Sequence, residues 1–81
     1  MASYLYAVQG DNGQEIVRAH VDVQKVSDVH AEIVEGSLEL RFEDVVIESA
    51  DVRPYINPRF YTLLRWPSDN KLATPVRHRV R

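Results

Sequence analysis

Tyr4-Leu5-Tyr6-Ala7-Val8-Gln9-Gly10-Asp11-Asn12-Gly13-Gln14-Glu15-Ile16-Val17-Arg18-Ala19-His20-Val21 is the stretch whose reading decides the fold. Asn-Gly is the favoured centre of a two-residue hairpin turn, because both central positions of a type I′ turn need positive φ. A turn at Asn12-Gly13 sets Val8 opposite Val17, Tyr6 opposite Ala19 and Tyr4 opposite Val21, which makes one face uniformly apolar. The other face carries Leu5, Ala7 and Gln9 opposite His20, Arg18 and Ile16. Side chains alternate with a period of two, so a slip of one residue would turn the apolar set outward. Turn chemistry and hydrophobic pattern therefore demand the same hairpin.

Working outward, residues 26–36 fit two patterns. As a strand, Val29, Ala31 and Ile33 alternate with Asp28, His30 and Glu32. As a helix over about residues 26–35, Val26, Val29 and Ile33 fall on one side, with Ser27 as N-cap and Gly36 as stop. The residues beyond Gly36 favour the strand. A turn at Gly36-Ser37 would pair Ile33 with Leu40 and Ala31 with Phe42, with Glu32 opposite Arg41. Leu38, Leu40 and Phe42 alternate with Glu39 and Arg41, while Val45-Val46-Ile47 reads as a more fully buried strand. Pro54 and Pro58 mark Asp51–Pro58 as a loop or irregular edge. Arg59–Trp66 is another strand, with Phe60, Thr62, Leu64 and Trp66 on one side and Tyr61, Leu63 and Arg65 on the other. Pro67-Ser68-Asp69-Asn70 is a turn signal. Val76–Arg81 alternates apolar residues or histidine with arginine, as a final strand or as a mobile basic tail.

These elements predict one small domain over residues 1–81, mainly β, forming an antiparallel sheet or a partly open barrel of five or six strands. The alternative is α+β, with one helix at about residues 26–35. A chain this short buries a modest share of its surface, and small domains are commonly reinforced by disulfides, metals or oligomerisation. There is no cysteine, and the three scattered histidines lack metal-ligand spacing. That leaves a well-packed core or an oligomer.

Charge divides along the chain. Residues 1–50 hold ten acids against three bases, a net of −7, and residues 51–81 hold seven bases against two acids, a net of +5. Such asymmetry points to a partner of opposite charge, or to the two halves meeting each other. In the basic half arginine and aromatic residues interleave. Arg53, Tyr55, Arg59, Tyr61, Arg65, Trp66, Arg77, His78, Arg79 and Arg81 form the candidate partner-binding set. Arginine pairs bidentately with carboxylate or phosphate, and aromatic faces stack on bases or anchor protein interfaces. The competing explanation is internal: the arginines neutralise the acidic strands and the aromatics fill the core.

Arg77, Arg79 and Arg81 on one strand would share a face at intervals of about 6.5–7 Å. That spacing suits an extended nucleic-acid backbone and a row of carboxylates equally well. A pI near 5.8 counts against a general nucleic-acid binder. The regularly spaced carboxylates Asp28, Glu32, Glu35, Glu39, Glu43 and Glu48 would, read as phosphate mimics, occupy a nucleic-acid-binding surface on another protein. Catalysis has little support. There is no nucleophile motif, and Gly10, Gly13 and Gly36 each have a turn explanation, which leaves no phosphate-cradling loop.

The expected function is therefore non-catalytic binding with no cofactor and no metal, the Arg/aromatic half engaging an acidic protein surface or nucleic acid. Two alternatives stand beside it. One is a structural homo-oligomer in which basic and acidic halves of different subunits meet. The other is a small inhibitor, of the type carried by mobile elements, acting on host nucleic-acid machinery. Met-Ala-Ser-Tyr-Leu-Tyr has no basic region of an export signal, and no apolar run approaches the roughly 20 residues of a membrane helix. The expected location is the cytoplasm, away from membranes.

Overall fold

The computed structural model describes residues 2–10, 13–24, 28–53 and 61–80. Its elements are β1 (Ala2–Gln9), β2 (Glu15–Val23), β3 (Val29–Val34), β4 (Ser37–Phe42), β5 (Val45–Asp51), β6 (Thr62–Pro67) and β7 (Val76–Arg79). They form a four-stranded antiparallel sheet in the order β2-β1-β6-β7 and a three-stranded antiparallel sheet in the order β3-β4-β5. The fold is mainly β and does not close into a barrel. Among the described residues there are seven strands rather than five or six, because both the ambiguous segment after Asp28 and the terminal arginine segment are strands. The helix alternative does not hold over Val29–Val34, whose alternating burial is that of a strand covered on one face. Its opening residues 26 and 27 lie outside the described residues.

One core joins the two sheets. Tyr6, Val8, Val17, Ala19, Val21, Val23, Tyr61, Leu63 and Val80 come from the larger sheet or its flanks, and Val29, Ala31, Leu38, Leu40 and Val52 from the smaller. β2 also packs against β5. The inner faces thus interdigitate as in a small sandwich, leaving one outer face to each sheet.

The first hairpin keeps the expected register through its body: Val8↔Val17, Tyr6↔Ala19 and Tyr4↔Val21. Near the loop it departs. Gln9 pairs with Glu15 rather than Ile16, so Ile16 is an extra residue in β2. The Gly10 N–H donates to the Gln14 carbonyl at 2.8 Å, and the Gly13 N–H to the Gly10 carbonyl at 3.1 Å. The loop is therefore one residue longer than the expected two-residue turn. The bulge at Ile16 restores the register that buries the valines. Asn12, the residue that suggested the turn, lies outside the described residues.

The second hairpin shows a slip of two. Ile33 pairs with Leu38, Ala31 with Leu40 and Val29 with Phe42, which places Glu32 opposite Glu39 instead of Arg41. The turn residues are Glu35 and Gly36, at φ 51° and 79°. A shift of two residues preserves the face of every side chain, so the hydrophobic pattern could not distinguish the two registers.

Two substitutions at this turn have opposite expected outcomes. Glu35 sits in the left-handed region, which costs an ordinary L-residue about 1–2 kcal/mol. Asn tolerates that region, and Asn-Gly is the preferred pair for a two-residue turn. Glu35→Asn should therefore raise stability by about 0.5–1 kcal/mol. Gly36→Ala should lower it, since a Cβ there would stand 2.7 Å from Arg53 Cγ as well as demanding φ +79°. Urea midpoints of the two variants check both signs.

β5 corrects a third expectation. Val45 and Val46 are exposed at 63% and 42%, not buried. Two causes combine: β5 is an edge strand, and a bulge at Ile47 shifts its pairing with β4 from Arg41↔Val46 to Leu40↔Glu48. The inward positions thereafter go to Ala50 and Val52, with Val52 N–H closing onto the Gly36 carbonyl at 2.9 Å.

Candidate functional site

Charge follows the sheets. Residues 28–53, which build the smaller sheet and its turns, carry eight acids (Asp28, Glu32, Glu35, Glu39, Glu43, Asp44, Glu48, Asp51) and two bases (Arg41, Arg53), a net of −6. Residues 61–80 carry Arg65, Lys71, Arg77 and Arg79 against Asp69, a net of +3.

Both bases of the acidic sheet are paired. Arg41 lies on its outer face, 2.9 Å from Glu39 and 3.6 Å from Glu32. It relieves the repulsion that the slipped register creates between those two glutamates. Arg53 forks onto Asp51: its backbone N–H and Nε donate to Oδ1 at 3.0 and 2.9 Å, and a terminal nitrogen to Oδ2 at 2.7 Å.

This fork pulls the Asp51 carboxyl down from the ordinary 3.8 to about 2, mainly through the side-chain hydrogen bond from Arg53 and then through its backbone N–H. Because the folded-state value is the lower one, the pairing stabilises the fold above the unfolded value near 4. That contribution is lost as pH falls from there through about 2. A carbon-13 titration of the Asp51 carboxyl should show a midpoint near 2. Arg53→Ala, which keeps the backbone donor, should move it most of the way back.

The basic strands differ. Paired residues of an antiparallel ladder share a face. Arg18–Ala7–Leu64–Arg77 therefore forms one row across the outer face of the larger sheet, beside the rows His20–Leu5–Trp66 and Gln9–Thr62–Arg79. Within this outer face Leu5, Ala7 and Leu64 are buried, apart from the main core cluster, and Trp66 is half-buried. Arg18 is tied to Glu15 at 2.6 Å. Arg77 and Arg79 are exposed and form no ion pair among the described residues. Lys71 is likewise exposed, in the turn before β7.

The ten candidate residues thus separate. Arg77, His78 and Arg79 are exposed on β7, with His78 on the opposite face from the two arginines, and Trp66 is half-buried on β6, one residue beyond the stretch that pairs with β7. Tyr61 is buried in the core, and Arg53 belongs to the acidic sheet through Asp51. Arg65 points to the inner side, opposite Tyr6, with its guanidinium 5.5 Å from the centre of the Tyr4 ring. Burial raises the Tyr6 hydroxyl above its usual value of 10.0, and the nearby Arg65 charge partly offsets this. Tyr55, Arg59 and Arg81 lie outside the described residues. Leu64 and Trp66 lie on the outer side of β6, and Leu63, with Tyr61 just before the strand, supplies the core.

Among the described residues no group of three His, Cys, Asp or Glu side chains is placed to hold a metal ion, and no helix is long and apolar enough to cross a membrane. Comparisons with protein-family models, with curated proteins and with solved structures find no match to this chain.

Proposed function

We propose that this protein is a non-catalytic binding module that presents the exposed arginines of β7 to an anionic partner, an acidic protein surface before nucleic acid. One contrast carries the reading. Both bases of the acidic sheet are engaged by carboxylates, whereas Arg77 and Arg79 stand exposed without an ion pair among the described residues. An arginine row exposes bidentate donors in a fixed geometry suited to carboxylates. The acidic smaller sheet disfavours polyanionic nucleic acid at long range and tolerates a locally acidic protein.

Binding to a fluorescent oligoglutamate and to single- and double-stranded oligonucleotides, each across a salt series, tests the proposal. The acidic peptide should bind at low salt, weaken as screening rises, and lose most of its affinity when Arg77 and Arg79 are changed to alanine. Absence of salt-sensitive binding to any of these polyanions would remove the proposal. Binding to the oligonucleotides alone would replace its partner class. The homo-oligomer alternative is checked by light scattering at low and high salt, where a mass that falls with salt would support it.

A further inference from the structure

β7 terminates the larger sheet, with β6 on one side and, among the described residues, no strand on the other. The phase of its hydrogen bonds follows from a single contact: the Val80 N–H donates to the Tyr61 carbonyl at 3.4 Å. In an antiparallel ladder alternate residues direct both N–H and C=O to the same neighbour. Val80, His78 and Val76 therefore address β6. Arg77 and Arg79 direct their backbone groups away from it, along the open edge. The same two residues carry the unpaired guanidinium groups, and all four residues of β7 are exposed.

From this coincidence we infer that the open edge of β7 is a docking site for an extended acidic segment of another protein, which adds to the four-stranded sheet as a fifth, antiparallel strand. This inference rests on the reading of β7 as an anion-binding surface and specifies how it binds. Backbone hydrogen bonds to Arg77 and Arg79 supply the ladder, and side chains at alternate positions supply selectivity. A residue directly opposite Arg77 or Arg79 shares the outer face with it, so acids are wanted at positions i and i+2. The residue between them lies opposite His78 on the other face, flanked by Val76 and Val80, and should be apolar or β-branched. A second copy of this chain is a poor occupant through the same edge, since pairing β7 with β7 would bring arginine against arginine.

The probe is the peptide Glu-Thr-Glu-Thr-Glu, capped at both ends, titrated into the whole protein at low salt. Docking should slow hydrogen exchange at the Arg77 and Arg79 amides, which have no ladder partner among the described residues, without comparable change at His78. N-methylation of the glutamates, whose N–H groups would meet β7, should abolish binding, and N-methylation of the threonines should leave it within a few-fold. In the Arg77→Glu/Arg79→Glu variant preference should pass to the lysine analogue of the peptide. Equal binding by both methylated peptides, with no amide protection, would overturn strand addition while leaving the charge-based reading intact. Failure of every acidic peptide to bind at low salt would overturn both.

Discussion

Leu40→Ala should lower the free energy of unfolding by about 3 kcal/mol. Leu40 is fully buried, on the central strand of the smaller sheet, opposite Ala31 of β3, in the cluster that also holds Tyr6 and Val8 of the other sheet. Truncation removes its transfer free energy and leaves a cavity between two sheets. Each sheet is held by its own ladder, so neither can collapse fully into the space. For 81 residues the total stability should be on the order of 4–12 kcal/mol, so the change would consume a large share of it. The urea midpoint should fall with an unchanged slope. Val45→Ala is the matched control: the residue is 63% exposed on an edge strand and should shift stability by less than about 0.5 kcal/mol. A loss below about 1 kcal/mol at Leu40 would mean that the two sheets do not share a core.

Leu40 also illustrates what the sequence made legible. Its alternation with Glu39 and Arg41 fixed the face it presents, and that face is the buried one. Its partner was not fixed. Ala31 and Ile33 are both apolar, so either register satisfied the pattern, and the choice rested with a turn whose first residue, Glu35, is not one that ordinarily signals positive φ. Bulges were similarly hidden. Nothing in Ile16 or Ile47 distinguishes an extra residue from a paired one, although the bulge at Ile47 decides that Val45 and Val46 are exposed. Short apolar runs report β-propensity; burial depends on whether a second layer covers the strand, which is a tertiary fact.

The candidate site was legible in the same partial way. Composition located the basic half, and alternation placed Arg77 and Arg79 on one face of one strand. Whether that face meets the acids of the same chain depended on sheet order. Because β7 pairs with β6 and the acidic strands form a separate sheet, the strongest expected source of neutralisation is directed elsewhere. Tyr61 and Arg65 could not be assigned from pattern alone: Leu64 and Trp66 lie on one side of β6, Leu63 on the other with Tyr61 just before it, and only the packing partner decides which side is inner.

Exchanging both Arg77 and Arg79 for glutamate should weaken binding to an acidic peptide by about a hundredfold at low salt while changing stability by less than about 1 kcal/mol. Each exchange removes one positive charge and adds one negative, taking the net from −2 to −6. Attraction at two positions becomes repulsion at the same two, so the effect on binding is roughly double that of alanine. Stability should be nearly untouched because neither arginine has an ion-pair partner among the described residues. Arg41→Glu should behave in the opposite way. Its side chain is 23% exposed between Glu32 and Glu39, so a third carboxylate there should cost about 2 kcal/mol of stability. Peptide binding should be unchanged, since Arg41 belongs to the other sheet. If Arg77 and Arg79 served chiefly to neutralise the acidic strands of their own chain, the two variants would lose stability alike. Urea denaturation of both, beside one binding titration, therefore separates a charge that holds the fold together from a charge held out to a partner.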